Sequence, residues 1–380
     1  MAERDSEILA RIGDGVSRFD PGEWDRCAGA DNPFLSHAFL SALEQSGSAT
    51  ARTGWQPVPI AIDGPDGHAA ALMPAYAKSH SQGEYVFDHG WASAYERAGG
   101  RYYPKLQIAV PFTPVPGRRL LTSNSSLAPR LIAAAEAVVA NHGLSSAHAT
   151  FIDPSEVPIF EEAGWLIRVD SQFHWHNEGF SSFDDFLAQL SSRKRKAIRK
   201  ERRDALAGLT VQHVTGSGIS ERHWDAFWHF YQDTGSRKWG RPYLTRRFFS
   251  LLGERMADKV LLVFAMDGDR PIAGALNLIG ADTLYGRYWG TTAEVPHLHF
   301  EICYYQAIDF AIARGLMRVE AGAQGGHKLS RGYRPVPTYS AHYLADPSLR
   351  RAVADFLAAE RRAVEHEIEA LKEMMPFRKG

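Results

Sequence analysis

The stretch "GWLIRVDSQFHWH" at residues 164–176 returns in altered form as "GYRPVPTYSAHYL" at residues 332–344. The two stretches align without a gap, and in both a glycine–aromatic pair is followed by a histidine–aromatic pair at the same spacing. A second match, "AIDG" at 61–64 and "AMDG" at 265–268, comes earlier in each half, at the turn of a predicted hairpin. Two matches in the same order predict two copies of one α/β unit; the alternative is two unrelated α/β domains.

The elements around these matches follow from caps, turns and periodicity. In the first half a helix begins at Ser36, strands are predicted at residues 84–88 and 105–112, and a helix ends at Gly143. The second half repeats this order, with an aromatic-faced helix at 221–234, a hairpin at 259–280, strands at 283–290, 316–322 and 338–344, and a helix that ends at Gly315.

Length and composition limit the possible classes of protein. A chain of 380 residues exceeds what one core usually supports, so two domains are expected. The net charge of −1 argues against a DNA-binding protein. The first ten residues carry no apolar core typical of a signal peptide, and no run of 18 apolar residues occurs. Two cysteines, Cys27 and Cys303, are too few for a disulfide framework or a cysteine-rich metal site. A soluble, cytoplasmic protein without a membrane span is expected.

A basic run, "SSRKRKAIRKERR" at 191–203, carries eight cationic side chains in thirteen positions. Ser182 and Asp185 form a capping-box pattern before it. The apolar residues that keep helical spacing from this cap through the run are Phe183, Phe186, Leu187, Leu190, Ala197, Ile198 and Ala205. They predict one amphipathic helix whose apolar side is docked. Like charges at this density repel one another unless bound anions or acidic neighbours neutralise them. The more specific hypothesis is therefore that the run binds a phosphate-bearing ligand, and the alternative is that it forms a solvent-exposed helix face.

These elements divide the chain into four predicted segments. A first domain occupies residues 17–180, a connecting basic helix 181–208, a second domain 209–345 and a C-terminal helix 346–380. The oligomeric state is left open.

The order of elements resembles the GNAT acyltransferase fold, and two copies joined by a helix resemble its FemAB-like branch of predicted N-acyltransferases in peptidoglycan biosynthesis or recognition. The residues that carry the resemblance are "FDHGWASAYERAGGRYYPKLQIAVPFTPVPGRRLL" at 87–121 and "VEAGAQGGHKLSRGYRPVPTYSAHYL" at 319–344. The resemblance covers most of residues 20–345. It implies an α/β (α+β) fold of tandem GNAT-like domains, each a mixed, largely antiparallel sheet flanked by helices.

Acyl transfer to an amine requires an anion site for the donor, a base for the amine and an acid for the leaving group. Glu320 or His327 is the proposed base, acting on the amine through water, and Tyr288 is the proposed acid. The candidate donor-phosphate residues are basic, apart from one glycine that allows close backbone approach: Gly117, Arg118, Arg119, Arg193, Lys196, Lys328 and Arg331. A polar cluster that merely covers a strand end is the alternative interpretation of the catalytic residues.

The expected function is N-acyl transfer from acetyl-CoA or another acyl-CoA, used as co-substrate without a permanently bound cofactor, to a small-molecule or peptide amine. Coenzyme A is preferred because a helical insertion found in some tRNA-using relatives is absent. The alternatives are an aminoacyl-tRNA-dependent transferase of the FemABX type, which makes tRNA a possible partner, and a non-catalytic module that binds a cell-wall precursor or nucleotide. No metal is expected, because the pairs His174–His176 and His297–His299 lack a third ligand at a recognised spacing.

Overall fold

The computed structural model describes residues 10–238, 242–322 and 326–378, and for residues 235–238 it describes the backbone only. These residues form two compact units, and neither unit is one continuous stretch of chain. Unit 1 contains the chain up to Gly29 with residues 34–169 and 338–362. Unit 2 contains residues 30–33, 170–337 and those from Ala363 onward.

Fourteen strands are found in the described residues. In chain order they are β1 (Ala10–Ile12), β2 (Trp55–Pro57), β3 (Ile60–Asp63), β4 (Ala69–Met73), β5 (Ala75–Lys78), β6 (Lys105–Ile108), β7 (Ser146–Ile152), β8 (Leu166–His176), β9 (Thr210–Thr215), β10 (Val260–Asp267), β11 (Arg270–Ile279), β12 (Thr283–Thr291), β13 (Arg318–Glu320) and β14 (Arg334–Leu344).

The helices of the same residues are α1 (Pro21–Ala28), α2 (His37–Gln45), α3 (His89–Arg97), α4 (Ala128–His142), α5 (Val157–Glu162), α6 (Phe183–Gln189), α7 (Ser192–Ala205), α8 (Glu221–Lys238), α9 (Arg246–Met256), α10 (Leu298–Phe300), α11 (Gln306–Ala313) and α12 (Pro347–Glu373). A π-helical turn, Glu301–Tyr305, joins α10 to α11. None of the helices described is long and apolar enough to cross a membrane.

In unit 1 the main sheet has the order β2-β5-β6-β7-β14, and a small separate sheet has the order β1-β3-β4. Only β6 and β7 pair in parallel in the main sheet. Helix α4 packs on one face through Leu131 and Ile132, against Leu106 and Ile108 of β6. These apolar side chains leave the opposite face of the strands to polar residues, since successive side chains of a strand point to opposite faces.

In unit 2 the strands have the order β8-β13-β12-β11-β10-β9, and only β12 and β13 are parallel. The π-turn and α11 pack on one face through Ile302 and Ile308, in a core that includes Trp175 and Val319. Each unit thus has a mixed, largely antiparallel sheet with flanking helices.

The duplicated stretches occupy equivalent places. Gly164 and Gly332 have φ angles of 80° and 84°, in the left-handed region that glycine adopts without strain. Each lies shortly before a long strand, β8 or β14. β14 completes the sheet of unit 1 through residues 338–344, whereas residues 170–176 of β8 belong to unit 2.

Most of the predicted elements are present, and two differ. The basic run does not continue the helix capped by Ser182: the chain is extended at Leu190, and a new helix, α7, follows Ser191. Leu190 forms a β-bridge with Phe377, and the Ser191 N–H donates to the Pro376 carbonyl at 2.9 Å. This pairing interrupts the helix, so Ala197 is exposed rather than docked.

The second difference is at residues 84–88, which form no strand. Tyr85 takes a left-handed φ of 60°, and Asp88 is the residue before α3. A pattern of aromatic and β-branched residues favours a strand, but here the segment instead carries two carboxylates into the interior of unit 1.

Candidate active site

Glu320 is at the carboxyl end of β13, where the parallel pairing with β12 stops. β12 and β13 pair over three residues each, 283–285 and 318–320. Glu320 is opposite Tyr285 on one side and His174 on the other. It is 6% exposed, and its Oε2 has no hydrogen-bond partner. Burial raises the pKa of Glu320 to about 7, so the carboxyl changes charge near neutral pH.

Burial outweighs the nearby Arg318 and Arg287 charges, which favour the carboxylate form of Glu320. His174 Nδ1 is 3.8 Å from Glu320 Oε1, and His174 Nε2 is 3.3 Å from Gln172 Oε1. Burial lowers the pKa of His174 to about 3, which keeps this imidazole neutral. Arg318 instead donates to the Thr283 hydroxyl at 3.1 Å. A buried acid with a neutral neighbour and one unpaired oxygen is suited to accept a proton near pH 7.

Tyr288 lies on the part of β12 beyond this pairing. Leu276 is opposite Tyr288 and Asn277 is opposite Gly286, so Arg287 is an extra residue in a β-bulge. The simple alternation of faces expected from the sequence does not hold across this bulge. The Tyr288 ring is 5.1 Å from that of Tyr231, and burial raises the pKa of the Tyr288 phenol, so it stays protonated.

The other predicted residues of unit 2 lie on the 3₁₀ helix Gly326–Arg331. His327 Nε2 is 2.9 Å from the Tyr304 hydroxyl. Lys328 is buried and donates to the Gly322 carbonyl at 2.8 Å, and burial lowers its pKa to about 8. Arg331 donates to Glu201 of α7 at 2.9 Å. Arg287 acts on both Glu320 and Tyr288 and favours the charged form of each, so these two groups share one neighbour, whereas His327 contacts Tyr304.

The predicted phosphate loop of unit 1 is used for internal bonds. Gly117 bridges to Ile152 on the edge of β7 that β6 leaves after Ile108. Arg119 is 1% exposed, and its guanidinium donates to backbone carbonyls, those of Val115, Gly117, Arg118 and Thr150. Arg118 donates likewise, to the carbonyls of Cys27, Ala28 and Thr122. That Gly117, Arg118 and Arg119 bind the phosphates of the acyl donor stays a prediction.

The inner side of α7 is neutralised by acidic side chains. Arg202 donates to Glu301 at 3.0 Å and to Asp309 at 2.6 Å. Glu201 accepts from Arg331 and also from the Tyr305 hydroxyl. These contacts dock the helix on the π-turn and on α11.

The outer side of α7 keeps its charge. Arg193, Lys196 and Lys200 are exposed, and in the described part of the chain no carboxylate lies within 4.0 Å of them. At 100° per residue the three fall within an arc of about 60°, along about 10 Å of helix. We refer to these three residues as the basic stripe. Arg199 and Arg203, at its margin, each contact an aspartate, at 2.8 and 3.2 Å.

Unit 1 contains a buried polar network that sequence reasoning missed. Lys105 Nζ donates to Asp88 at 2.5 Å and to Glu84 at 2.7 Å, and all three are at most 5% exposed. The Tyr102 hydroxyl donates to Asp88 at 2.7 Å and is 3.2 Å from His148. Burial raises the pKa of Glu84 to about 7. At Asp88 burial is outweighed by the Lys105 ammonium, His148 and the hydrogen bonds from Lys105 and Ser81 together, which hold its pKa well below the usual range.

One sequence signal does point to this network. Polar residues alternate along three strands, at Lys105 and Gln107, at Ser146, His148 and Thr150, and at Ser340 and His342. Alternation of this kind usually indicates a solvated sheet face. In unit 1 the same face is buried, and His148 Nδ1 lies 2.8 Å from His342 Nδ1.

No group of three or more His, Cys, Asp or Glu side chains within residues 10–238, 242–322 and 326–378 is arranged to hold a metal ion. The two histidine pairs have other neighbours. His174 faces Glu320 and Gln172, and His299 lies among aromatic rings.

Comparison with known proteins assigns nearly the whole chain to one protein family. A family model described as peptidoglycan biosynthesis/recognition, FemAB-like, matches residues 15–379. No curated protein sequence matches the chain. The resemblance to the FemAB-like family inferred from the sequence is confirmed, and so is the predicted fold class of mixed, largely antiparallel α/β sheets flanked by helices.

Three solved structures share the fold. FemX is 12% identical, with a TM-score of 0.55 over 89% of this chain and 99% of that one. L-PGS from Bacillus licheniformis is 12% identical, with a TM-score of 0.52 over 87% and 97%. The C-terminal domain of a putative lysylphosphatidylglycerol synthetase from Agrobacterium fabrum is 11% identical, with a TM-score of 0.53 over 88% and 95%.

Proposed function

Because the chain belongs to the FemAB-like family of peptidoglycan biosynthesis or recognition proteins, we propose that it is an aminoacyltransferase that takes its acyl group from aminoacyl-tRNA. The acceptor is the amine of a peptidoglycan stem peptide. The proposal replaces acyl-CoA as the preferred donor, because family membership and the FemX-like fold fit the tRNA alternative better.

The basic stripe is the observation that favours aminoacyl-tRNA over acyl-CoA as the donor. Arg193, Lys196 and Lys200 keep their charge outward on a helix whose other side is docked by ion pairs. Three uncompensated cations in a row suit a ligand with regularly spaced phosphates. Coenzyme A has phosphates only at one end, whereas RNA presents them along the whole stripe.

Unit 2 is proposed as the catalytic unit. Glu320 lies where the pairing of β12 with β13 ends, and within the described residues no isolated bridge continues that edge of β13. In unit 1 the equivalent edge of β7 is occupied by Gly117 and the buried Arg119. The proposal therefore assigns the reaction to the end of β13.

The chemistry is an ester aminolysis. Glu320 accepts a proton from the acceptor ammonium, and the free amine attacks the carbonyl carbon of the aminoacyl ester. A carbon–nitrogen bond forms, the bond from the carbonyl carbon to the ribose oxygen breaks, and that oxygen leaves with a proton. Tyr288, kept protonated by burial, is the proposed source of this proton, and the second proton that the attacking nitrogen loses restores the phenol. Glu320 releases its own proton to solvent. Neither proton route requires a metal ligand or a cofactor from the protein.

The test is a transfer assay with radiolabelled aminoacyl-tRNA and with acyl-CoA, using a stem peptide with a free side-chain amine. We expect RNase-sensitive product only from the tRNA. The double variant Lys196→Glu/Lys200→Glu should lose most turnover at about 150 mM salt, because phosphate contacts dominate such binding, while Arg351→Glu, at an exposed residue of α12, should keep it. RNase-resistant transfer from acyl-CoA would refute the donor, and tight ligand binding without any turnover would favour a binding module.

A further inference from the structure

An aromatic patch lies at the start of the α10–α11 segment in unit 2. Its members are the side chains of Trp289, His299, Phe300, Tyr304 and His327. Neighbouring ring centroids are 5.1 to 6.2 Å apart. Tyr304 is buried, His327 is exposed, and the other three rings are half-buried. The patch therefore joins the core of unit 2 to its surface.

The rings of the patch are held in place by several contacts. The guanidinium carbon of Arg331 is 3.4 Å from the centroid of the Phe300 ring. The same guanidinium donates to the Glu201 carboxylate at 2.9 Å and to the His327 carbonyl at 2.8 Å. The Tyr304 hydroxyl fixes His327 from the other side at 2.9 Å. A surface of rings held this firmly loses little side-chain freedom when a ligand stacks on it.

The backbone under the patch is also unusual. His297 takes a left-handed φ of 63°, and the helix that follows contains the π-turn Glu301–Tyr305. Non-glycine residues in this region are uncommon, and π-turns occur frequently at functional sites. Both features fall within the segment that presents His299, Phe300 and Tyr304.

The patch lies beside the helix that carries the basic stripe. Helix α7 packs against α10, against the π-turn and against the 3₁₀ helix Gly326–Arg331. The helix that carries the stripe therefore contacts the elements that carry the rings, through its inner side. Cations and aromatic rings in one region of a protein form the combination that binds single-stranded nucleic acid, since phosphates meet the cations and unpaired bases stack on the rings.

We infer that the aromatic patch is a stacking platform for the terminal purine base of the acyl donor. The inference rests on the proposed function, in which this base is the unpaired 3′-terminal adenine of aminoacyl-tRNA. Coenzyme A carries the same base, so the two sources are separated by experiment. The inference also gives His327 a role as a stacking ring rather than as the general base.

The experiment measures binding of the full-length protein to an RNA hairpin with a four-nucleotide unpaired 3′ end, and to the same stem with a blunt end. We expect the wild type to prefer the unpaired end. His327→Ala and Trp289→Ala should each weaken binding of the unpaired end roughly fivefold to a hundredfold, the range for losing one base–aromatic stack. Their binding of the blunt stem should not change.

Two further variants serve as controls. His327→Phe keeps a ring without the imidazole, so it should retain the preference for the unpaired end. Phe356→Ala removes a ring of α12 that is 47% exposed and should leave all binding unchanged. Circular dichroism and thermal unfolding of each variant establish whether the fold is kept.

The outcomes separate the inference from the proposed function. If the wild type binds neither RNA and transfers nothing from aminoacyl-tRNA, the proposed function fails. If transfer occurs but the ring variants bind the unpaired end as tightly as the wild type, the platform is refuted. Displacement of the RNA by coenzyme A in the wild type, with direct coenzyme A binding lost in His327→Ala, keeps the platform and assigns its base to coenzyme A.

Discussion

The substitution Glu320→Gln removes a carboxyl group that is 6% exposed and whose pKa burial raises from 4.5 to about 7. Well below pH 4.5 the group is protonated in both the folded and the unfolded chain, so it adds no pH-dependent contribution to stability. As the pH rises towards 7, the Glu320 carboxyl ionises first in the unfolded chain, which stabilises the unfolded chain relative to the folded one. The rise in pKa corresponds to about 3 kcal/mol of lost stability above pH 7.

Glutamine is neutral at every pH and nearly the same size. We therefore expect Glu320→Gln to gain about 3 kcal/mol over the wild type near pH 8, and nearly nothing near pH 4. At the same time the variant lacks the proposed base, so its turnover should fall by roughly 10²- to 10⁴-fold. Greater stability together with lower activity is a combination that a purely structural carboxylate does not produce.

The assay is urea unfolding followed by tryptophan fluorescence near pH 4 and near pH 8, with turnover measured on the same preparations. Glu294→Gln is the matched control, because Glu294 is exposed in the same unit; its stability should change by less than about 0.5 kcal/mol at either pH. Equal stabilities of wild type and Glu320→Gln at the higher pH would show that the carboxylate is not held away from water. Unchanged turnover would remove Glu320 from the mechanism.

Three further predictions concern buried contacts. Asp88→Asn breaks the pair with Lys105 and should lower the free energy of unfolding by about 3–5 kcal/mol, measured by urea titration; a loss below about 1 kcal/mol contradicts the buried network. Gly332→Ala, where a Cβ would meet the Phe186 ring at 2.7 Å, should destabilise by more than about 2 kcal/mol, against about 1 kcal/mol for Gly143→Ala, whose site is open. Glu301→Gln weakens the pairing with Arg202 and should lower the midpoint of thermal unfolding, and an unchanged midpoint would show that this pair does not dock α7.

The fold was largely predictable because its signals are local. Ser36 caps α2 by accepting from the Phe39 N–H at 3.2 Å, and α4 ends at Gly143, whose φ is 60°. Gly164 and Gly332 share one conformation before β8 and β14, which agrees with the duplication predicted from the two stretches. The caps depend on residues a few positions apart, and the repeat depends on a direct match between two stretches, so both can be found without the tertiary structure.

The candidate site was predictable only in part. Glu320 was identified because an acidic residue ends a predicted strand, but its burial and its neutral neighbour His174 come from β8, far away in the chain. Gly117, Arg118 and Arg119 look like an anion loop in sequence. Their bonds to carbonyls such as that of Cys27, 91 residues away, are set by the fold.

Spacing along the chain was sufficient to predict the repeat, the order of most helices and strands, and the presence of a strongly basic helix. Only the tertiary structure shows which charged side chains form ion pairs and which remain exposed to solvent. Arg202 is paired with Glu301, 99 residues away, and Lys105 with Glu84 and Asp88, whereas the basic stripe keeps its charge towards solvent. Electrostatic pairing depends on distance in space, and burial decides its strength, so neither follows from separation along the chain.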